Sequence, residues 1–211
     1  MAQPGGRYAA PVIEEIIPGV LHWTAFRDTI GTDVHCYAVP ESRVLIDPLV
    51  PDAGLDWFEQ HGPPERILLT NRHHYRDSGR FTDRYGCRIL CQRDGLHEFE
   101  GGPAVKGFSF GDQVAPGITA ERVAVLTPEE TAFHIASAGA LSFADAIVRD
   151  EDGPLRFVSD HLLGDDPVAI KSGLRESFRA LLELDFDSIL LAHGPPVVGG
   201  GKEALREFAA G

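Results

Sequence analysis

The chain has 211 residues, 43% of them hydrophobic, which is enough for one well-buried core and short for two ordinary domains. Its 32 acidic and 19 basic residues give a formal net charge of −13. Nucleic acids and anionic membranes recruit clustered lysine and arginine, and the sequence has no such cluster, so we expect neither as a partner. No apolar stretch approaches the roughly 20 residues that a membrane-spanning helix needs.

The N-terminal segment from Met1 to Pro11 is rich in glycine, proline and alanine and lacks the apolar core of a secretory signal. The cysteines Cys36, Cys87 and Cys91 form an odd set whose spacing matches no zinc or redox motif. Reduced cysteines are typical of the cytosol. We therefore predict a cytoplasmic protein with a single domain over residues 1–211, in which residues 1–10 form a poorly ordered arm.

Short strands separated by turn-forming residues are predicted early in the chain. A helix is predicted over Pro51–Gln60, where Leu55 and Phe58 share one side. The other elements predicted in this half are strands at Gly19–Trp23, Val34–Val39, Val44–Ile46 and Arg88–Leu90 and a helix at Ser78–Tyr85.

The segment between these elements joins an apolar run to a cluster of polar side chains. Ile67-Leu68-Leu69 reads as a buried strand, and the polar residues from Asn71 to Arg76 follow it, with His73 and His74 among them. Side chains at the end of a core strand are held by a rigid scaffold and can be aimed into a cleft. This segment is therefore the first candidate for a functional site.

The second half of the chain is predicted to contain short strands and then helices. Asp166-Pro167 is a good helix start, and Ile170, Leu174 and Phe178 follow at helical spacing. A buried strand over Ser188–Ala192 ends in another histidine, His193. The remaining predictions are strands at Val123–Leu126, Ala132–Ala136 and Ala140–Phe143 and a closing helix at Lys202–Ala209. Helices packed outside two sheets account for this order.

The polar segment, Thr70-Asn71-Arg72-His73-His74-Tyr75-Arg76, resembles the Thr-His-x-His-x-Asp-His motif of the metallo-β-lactamase superfamily, whose side chains help to hold two metal ions. Other strand ends resemble further family elements in the same order along the chain. These are Val44-Leu45-Ile46-Asp47, Pro128-Glu129-Glu130-Thr131 (a Pro-Gly-His-Thr element in the family), Phe143-Ala144-Asp145 and Leu191-Ala192-His193-Gly194-Pro195-Pro196. The resemblance implies an α+β protein, an αββα sandwich of two mixed β-sheets flanked by helices.

The resemblance also implies that most of the usual metal ligands are replaced. Asn71 and Arg76 stand where the family has histidines, Tyr75 stands for the aspartate, and Glu130 stands for a further histidine. The retained ligands are His73, Asp145 and His193. We therefore expect no dinuclear site. Arginine cannot bind a metal, and we expect Arg76 to pair with Asp145 or Glu130 and so to replace the charge of an ion.

Two interpretations of these residues stay open. A single zinc or other divalent ion could be held by His73, Asp145 and His193, with Glu130 as a fourth candidate ligand. Alternatively, they form a buried polar network without a metal. His74, one residue from His73 in an extended segment, should point elsewhere and line the cleft or the surface. The residues predicted to line the cleft are Asn71, His74, Tyr75, Arg76 and Asp47.

Two functional hypotheses follow. In the first, the protein needs no cofactor and is a non-catalytic or metal-independent member, a pseudoenzyme, that binds a small-molecule ligand or a protein partner in the inherited cleft. In the second, it hydrolyses an ester, a thioester or a lactam with a single metal ion. The missing ligands favour the first hypothesis, because metal-dependent hydrolysis relies on fixed coordination. A serine nucleophile is not supported, since Ser159 lacks the Gly-x-Ser-x-Gly context.

Overall fold

The computed structural model describes residues 13–151 and 153–211, so the arm predicted for residues 1–10 lies outside the described residues. The helices in this part of the chain are α1 (Asp56–His61), α2 (Ser78–Tyr85), α3 (Pro167–Leu181) and α4 (Gly201–Ala210). The strands are β1 (Glu14–Ile17), β2 (Val20–Arg27), β3 (Thr32–Val39), β4 (Val44–Ile46), β5 (Arg66–Leu68), β6 (Arg88–Gln92), β7 (Val105–Phe108), β8 (Gln113–Ala115), β9 (Ile118–Arg122), β10 (Thr131–Ile135), β11 (Ala140–Phe143), β12 (Val148–Arg149), β13 (Leu155–Arg156) and β14 (Ser188–Leu191).

Most of the strands form two mixed sheets. The first has the order β1-β2-β3-β4-β5-β6-β7, antiparallel up to β4 and parallel from there to β7. The second has the order β14-β11-β10-β9-β8 and is antiparallel except where β11 pairs with β14. Strands β12 and β13 form a separate ribbon. The two mixed sheets with helices match the architecture implied by the resemblance.

Three apolar layers hold the sheets and helices together. Successive residues of a strand point to opposite faces, so β4 and β5 bury side chains on both sides. The layer shared by the two sheets contains Ile46 and Leu68 from the first and Phe133 and Leu190 from the second. The outer layers each add helices: Phe58 and Phe81 of α1 and α2 pack on the first sheet, and Leu174, Phe178 and Leu205 of α3 and α4 pack on the second.

Several element bounds agree with those predicted from the sequence. Strands Val44–Ile46 and Ala140–Phe143 and helix Ser78–Tyr85 have the predicted limits. At the start of α3, the side chain of Asp166 accepts a hydrogen bond from the backbone N–H of Ala169 at 2.9 Å, as expected of a helix cap.

Other elements differ from the predictions for local reasons. The strand predicted over Val123–Leu126 is a loop, because the amides of Val123 and Ala124 both donate to the carbonyl of Glu130 and Ala124 has a positive φ of 46°. Helix α1 begins at Asp56 rather than near Pro51, since a turn closed from Gly54 N–H to Pro51 C=O precedes it. Strand β2 runs on to Arg27, four residues beyond the predicted end.

The C-terminal ends of two parallel strand pairs meet at one edge of the molecule. The pair β4–β5 belongs to the first sheet and the pair β11–β14 to the second. Backbone hydrogen bonds join the sheets there: Thr131 N–H donates to Thr70 C=O at 2.9 Å, and His35 N–H donates to Ala192 C=O at 3.1 Å. The residues that follow these strands are therefore brought together from distant parts of the sequence.

Over residues 13–151 and 153–211, the longest helix, α3, has 15 residues, and no helix combines the length and apolar character needed to cross a bilayer.

Candidate metal centre

The side chains of His74, Asp145 and His193 converge at this edge. One candidate ligand atom from each residue lies within 4.8 Å of those of the other two. Nε2 of His74 is 3.2 Å from Oδ1 of Asp145, and Nε2 of His193 is 3.1 Å from the same oxygen. The cluster thus combines residues that follow β5, β11 and β14, and both sheets contribute to it.

The histidine that faces inward is His74, which corrects the expectation that it would point away and that His73 would be the ligand. Neighbouring side chains point in opposite directions only in an extended chain, whereas Arg72–Tyr75 forms a 3₁₀ turn. Asn71 caps this turn by accepting a hydrogen bond from His73 N–H at 2.9 Å, and His74 N–H donates to Asn71 C=O at 3.2 Å. As a result, His74 is buried while His73 is exposed on the cleft wall.

A buried carboxylate holds the other side of the His74 ring. Oδ2 of Asp47 lies 2.9 Å from Nδ1 of His74, and Oδ1 of Asp47 accepts a hydrogen bond from Thr70 N–H at 2.9 Å. Burial alone lowers the pKa of His74, but the carboxylates of Asp145 and Asp47 more than offset this and raise it to about 9. Without a metal, His74 is therefore an imidazolium between two carboxylates at neutral pH.

Asp145 has one oxygen that accepts a hydrogen bond and one that faces the two imidazoles. Its Oδ2 accepts a hydrogen bond from Nδ2 of Asn71 at 2.8 Å. Its buried Oδ1 has no partner of hydrogen-bond geometry among the described residues, although two imidazole nitrogens lie close to it. Burial acts to raise the pKa of Asp145, but His74 and His193 hold it well below its usual range. The carboxylate is therefore ionised.

These distances fit a single tetrahedral ion. Donor atoms that each lie about 2.0–2.1 Å from one zinc ion are about 3.3 Å apart, close to the 3.1 and 3.2 Å seen here. The outer contacts also fit, because a metal-binding histidine usually donates its other ring N–H to a carboxylate, and Asp47 takes that place for His74. The three residues are thus a suitable ligand set for one divalent metal.

Glu130, the fourth candidate ligand, lies outside this set. Its Oε1 accepts a hydrogen bond from Ala146 N–H at 2.7 Å, and its buried Oε2 has no partner in the part of the chain that the structure describes. Burial, and next the charge of Asp145, raise the pKa of Glu130 to about 8. It is therefore a largely protonated carboxyl beside the cluster at neutral pH.

The cluster lies in an open cleft of about 1630 Å³. Arg27, His35 and Arg149 also line this cleft, and no motif in the sequence marks them as site residues. Arg27 ends a strand that was predicted to stop at Trp23, and its position in the cleft follows from that longer strand. His35 forms a buried pair with His22 at 2.8 Å between ring nitrogens, and burial lowers the two pKa values to about 3 and about 4.

Comparisons by sequence identify no relative: no protein-family model and no curated protein matches the chain. Solved structures do match. A metallo-β-lactamase family protein of Thermus thermophilus is 15% identical with a TM-score of 0.66, and 93% of this chain and 80% of that one are covered. A metallo-β-lactamase of Pontibacter korlensis is 17% identical with a TM-score of 0.68, covering 95% and 99%. The protein TTHA1623, solved in a di-iron-bound form, is 21% identical with a TM-score of 0.61, covering 93% and 97%.

The chain has the metallo-β-lactamase fold. Its candidate ligands come from strand ends that the resemblance marked in the sequence, with one change of register. In the family motif the second histidine aligns with His73, whereas the inward imidazole in this metallo-β-lactamase fold is that of His74.

Arg76 does not form the ion pair expected from the sequence. Within the described residues no carboxylate oxygen lies within 4.0 Å of its guanidinium, and its Nη1 donates instead to the carbonyls of Asp47 at 2.7 Å and His35 at 3.1 Å. Asp145 is already paired with the two histidines, which removes it as a partner. Arg76 and Asp47 both have positive φ, 43° and 48°, so the backbone around the cluster is strained.

Tyr75, which is predicted to line the cleft, lies in an apolar layer instead. Its ring packs against Phe99 with a centroid distance of 5.9 Å and belongs to the apolar layer between the first sheet and its helices. Its hydroxyl is close to Gly79 of α2. The 3₁₀ turn therefore sends His74 and Tyr75 in different directions.

Proposed function

We propose that the protein is a hydrolase that uses a single divalent metal ion held by His74, Asp145 and His193. The observation that carries the proposal is the convergence of two imidazole nitrogens on Oδ1 of Asp145, at 3.2 and 3.1 Å, without hydrogen-bond geometry. Two nitrogens and one carboxylate oxygen leave a fourth position open. That pattern is typical of catalytic zinc sites, whereas structural sites are closed by four protein ligands.

The surrounding residues support each ligand in one orientation. Asp47 engages Nδ1 of His74, which leaves Nε2 of that ring to face the cleft. Asn71 holds Oδ2 of Asp145, which leaves Oδ1 to face the two imidazoles. A metal site whose outer contacts are already made loses little freedom when the ion binds, and this supports a built site over a chance cluster.

The proposed reaction is the hydrolysis of an ester, a thioester or a lactam. A divalent ion at this position supplies Lewis-acid polarisation of the carbonyl group and lowers the pKa of water. The chain's own contribution is to fix the ligands and to admit the substrate from the open cleft, whose lining includes His74, Asp145 and His193. This function departs from the one that the missing ligands favour, because His74 takes the place expected of His73 and converges with Asp145 and His193 on one position.

A second candidate function is metal-independent binding of a small ligand in the same cleft. It is favoured by the pKa of about 9 for His74, since the imidazolium can itself offset one of the two negative charges of Asp47 and Asp145. In that case part of the charge that an ion would balance is already balanced by the protein.

Elemental analysis and hydrolysis assays test the proposal together. Protein purified without added metal, and protein stripped with chelator and then dialysed against zinc, manganese or iron(II), should retain close to one equivalent of one of these ions. Hydrolysis of p-nitrophenyl acetate, an acyl thioester and a chromogenic β-lactam should depend on that ion and disappear in His193→Ala. Metal content well below one equivalent in every preparation would refute the hydrolase proposal and favour metal-independent binding.

A further inference from the structure

We propose that Arg27 binds a single carboxylate group of the substrate at the wall of the cleft, so that the substrate is a monoanion with an apolar part. This inference rests on the proposed function in one respect, namely that the same cleft presents the substrate to the metal ligands. It adds a class of substrate and a residue that selects it.

The position of Arg27 makes it part of the cleft rather than of the outer surface. It is the last residue of β2 and faces the cleft that also contains Asp145 and His193. Its Nε donates to Oγ1 of Thr29 at 3.0 Å, and its Nη2 donates weakly to the carbonyl of His73 at 3.5 Å. These contacts fix the plane of the guanidinium and leave most of its donors for a ligand.

The guanidinium of Arg27 carries a charge that nothing close to it neutralises. Among residues 13–151 and 153–211, no carboxylate oxygen lies within 4.0 Å of it, although the chain has 32 acidic residues. Another arginine of the cleft, Arg156, pairs through two nitrogens with Asp150. Arg149 is also occupied, because its Nε and Nη1 donate to the carbonyls of Gly153 and Pro196 at 2.7 and 3.1 Å.

Burial, and next the nearby charge of Arg76, lower the pKa of Arg27, and the carboxylates of Asp145 and Asp47 offset this only in part. Arginine cannot lose its proton at any relevant pH, so the cost of placing it here stays until an anion arrives. A carboxylate accepts two parallel hydrogen bonds from a guanidinium, which is the geometry that arginine provides best.

The rest of the lining limits the anion to one negative charge. Acidic side chains other than Asp145 also line the cleft and would repel a second charge. They are Asp33, Asp150, Glu151, Asp165 and Asp166. Exposed apolar side chains line the cleft as well: Ile30 is 51% exposed and Leu162 is 58% exposed. A monocarboxylate with an aliphatic or aromatic part matches this combination, whereas a phosphate monoester does not.

Calorimetry with three probes on metal-stripped full-length protein tests the inference without any hydrolysis. The probes are hexanoate, hexanamide and hexyl phosphate, which share one chain and differ in charge. Hexanoate should bind at least tenfold more tightly than hexanamide and hexyl phosphate. Arg27→Gln should lose that preference and Arg27→Lys should keep part of it, since a charge-assisted hydrogen bond is worth a factor of about ten or more. The control is Arg156→Gln, an arginine of the same cleft that is already paired, and it should bind hexanoate like the wild type.

A wild-type measurement covers the case in which a variant does not fold. The NMR signal of the Arg27 Nε–H group should shift when hexanoate is added and should not move with hexanamide. Equal binding of hexanoate and hexanamide, tighter binding of hexyl phosphate, or an equal loss in Arg156→Gln would overturn the inference. If the protein holds well below one equivalent of metal but still binds hexanoate through Arg27, the hydrolase proposal is refuted and the proposal for Arg27 is supported.

Discussion

A buried imidazole between two carboxylates can serve either as a cation or as a metal ligand, and His74 is such a group. Asp47 engages its Nδ1 and Asp145 approaches its Nε2. An ion that binds Nε2 must displace one proton, so metal affinity should fall as pH drops. Whether His74 is a cation or a metal ligand therefore depends on whether its Nε2 carries a proton or binds an ion.

Substitutions of His74 and of its sequence neighbour His73 should have different effects on metal binding. His74→Ala should reduce metal affinity by at least 10-fold to 100-fold, because it removes a ligand, whereas His73→Ala should retain close to one equivalent, because its side chain is exposed outside the cluster. Metal titration followed by elemental analysis measures both. The assignment fails if His73→Ala loses the metal and His74→Ala keeps it.

Glu130 makes the stability of the metal-free protein depend on pH. Its folded-state pKa of about 8 lies above the usual 4.5, so between these values the folded state binds the proton more tightly than the unfolded state. Its contribution to stability is thus fully present below about pH 4.5 and is lost as the pH rises through about 8.

Glu130→Gln should reduce the fall in stability with pH and stabilise the protein at pH 8, because glutamine keeps the acceptor for Ala146 N–H and has no charge to bury; the raised pKa of His74 accounts for the fall that remains. Urea unfolding at pH 5, 6.5 and 8 gives the comparison, with Glu176→Gln on the surface-facing part of α3 as the control. A free energy of unfolding that falls with pH just as steeply in Glu130→Gln as in the wild type would contradict this account, since His74, whose pKa is also raised, would then carry the whole effect.

At the scale of elements, the position of His193 depends on a close approach between two backbones. Residue His193 leads from β14 into Gly194, whose φ is 96°, and a Cβ added at Gly194 would lie 1.8 Å from the carbonyl oxygen of Arg149. Arg149 N–H in turn donates to His193 C=O at 3.2 Å. The ribbon β12–β13 therefore packs directly against the turn after β14 and fixes the position of His193.

Gly194→Ala should separate β12 from this turn, with a loss of about 2–4 kcal/mol in unfolding free energy from the clash and the positive φ together. Gly164→Ala is the matched control, because Gly164 also has a positive φ, 77°, and its added Cβ would meet open space. Its loss should be limited to about 1 kcal/mol of backbone strain. Thermal unfolding and metal titration of the two variants measure the difference. Equal losses would show that the approach of Arg149 is not what fixes His193.

Sequence patterns could predict most of these elements but not how the polar segment turns. Strands such as Val44–Ile46 and Ala140–Phe143 are apolar runs bounded by turn formers, and helix α3 has a capping aspartate and a regular apolar face. The inward direction of His74 depends instead on the turn at Asn71, whose side chain accepts from His73 N–H and whose backbone carbonyl accepts from His74 N–H. A signal was present, since asparagine caps such turns, but an aligned motif from the family points to His73.

The cleft wall was unpredictable for a different reason. Arg27 lies in the cleft because β2 extends to residue 27 and pairs with β3 through to Thr32. Thr24 and Phe26 are themselves favourable in strands, but where the strand ends is set by its pairing with β3 and not by local preference. The pairing of β2 with β3 thus determines that the positive charge of Arg27 lies in the cleft wall.

At the scale of the whole molecule, the candidate metal would join the two sheets. His74 follows β5 of the first sheet, while Asp145 and His193 follow β11 and β14 of the second. The sheets already share an apolar layer and the backbone hydrogen bonds from Thr131 to Thr70 and from His35 to Ala192. An ion bound to both sheets should therefore stabilise them as one cooperative unit, because neither sheet alone provides all the ligands.

Zinc at about 100 times its dissociation constant should raise the free energy of unfolding by about 2.7 kcal/mol, or Tm by about 5–10 °C for a chain of this size. The two tryptophans, Trp23 and Trp57, report on the first sheet and its helices, and far-UV circular dichroism reports on the whole chain. Both signals should shift together in the wild type and in His73→Ala, and neither should shift in His193→Ala. If zinc moves the circular dichroism transition while the tryptophan transition stays in place, the ion stabilises the second sheet alone, and His74 is not one of its ligands.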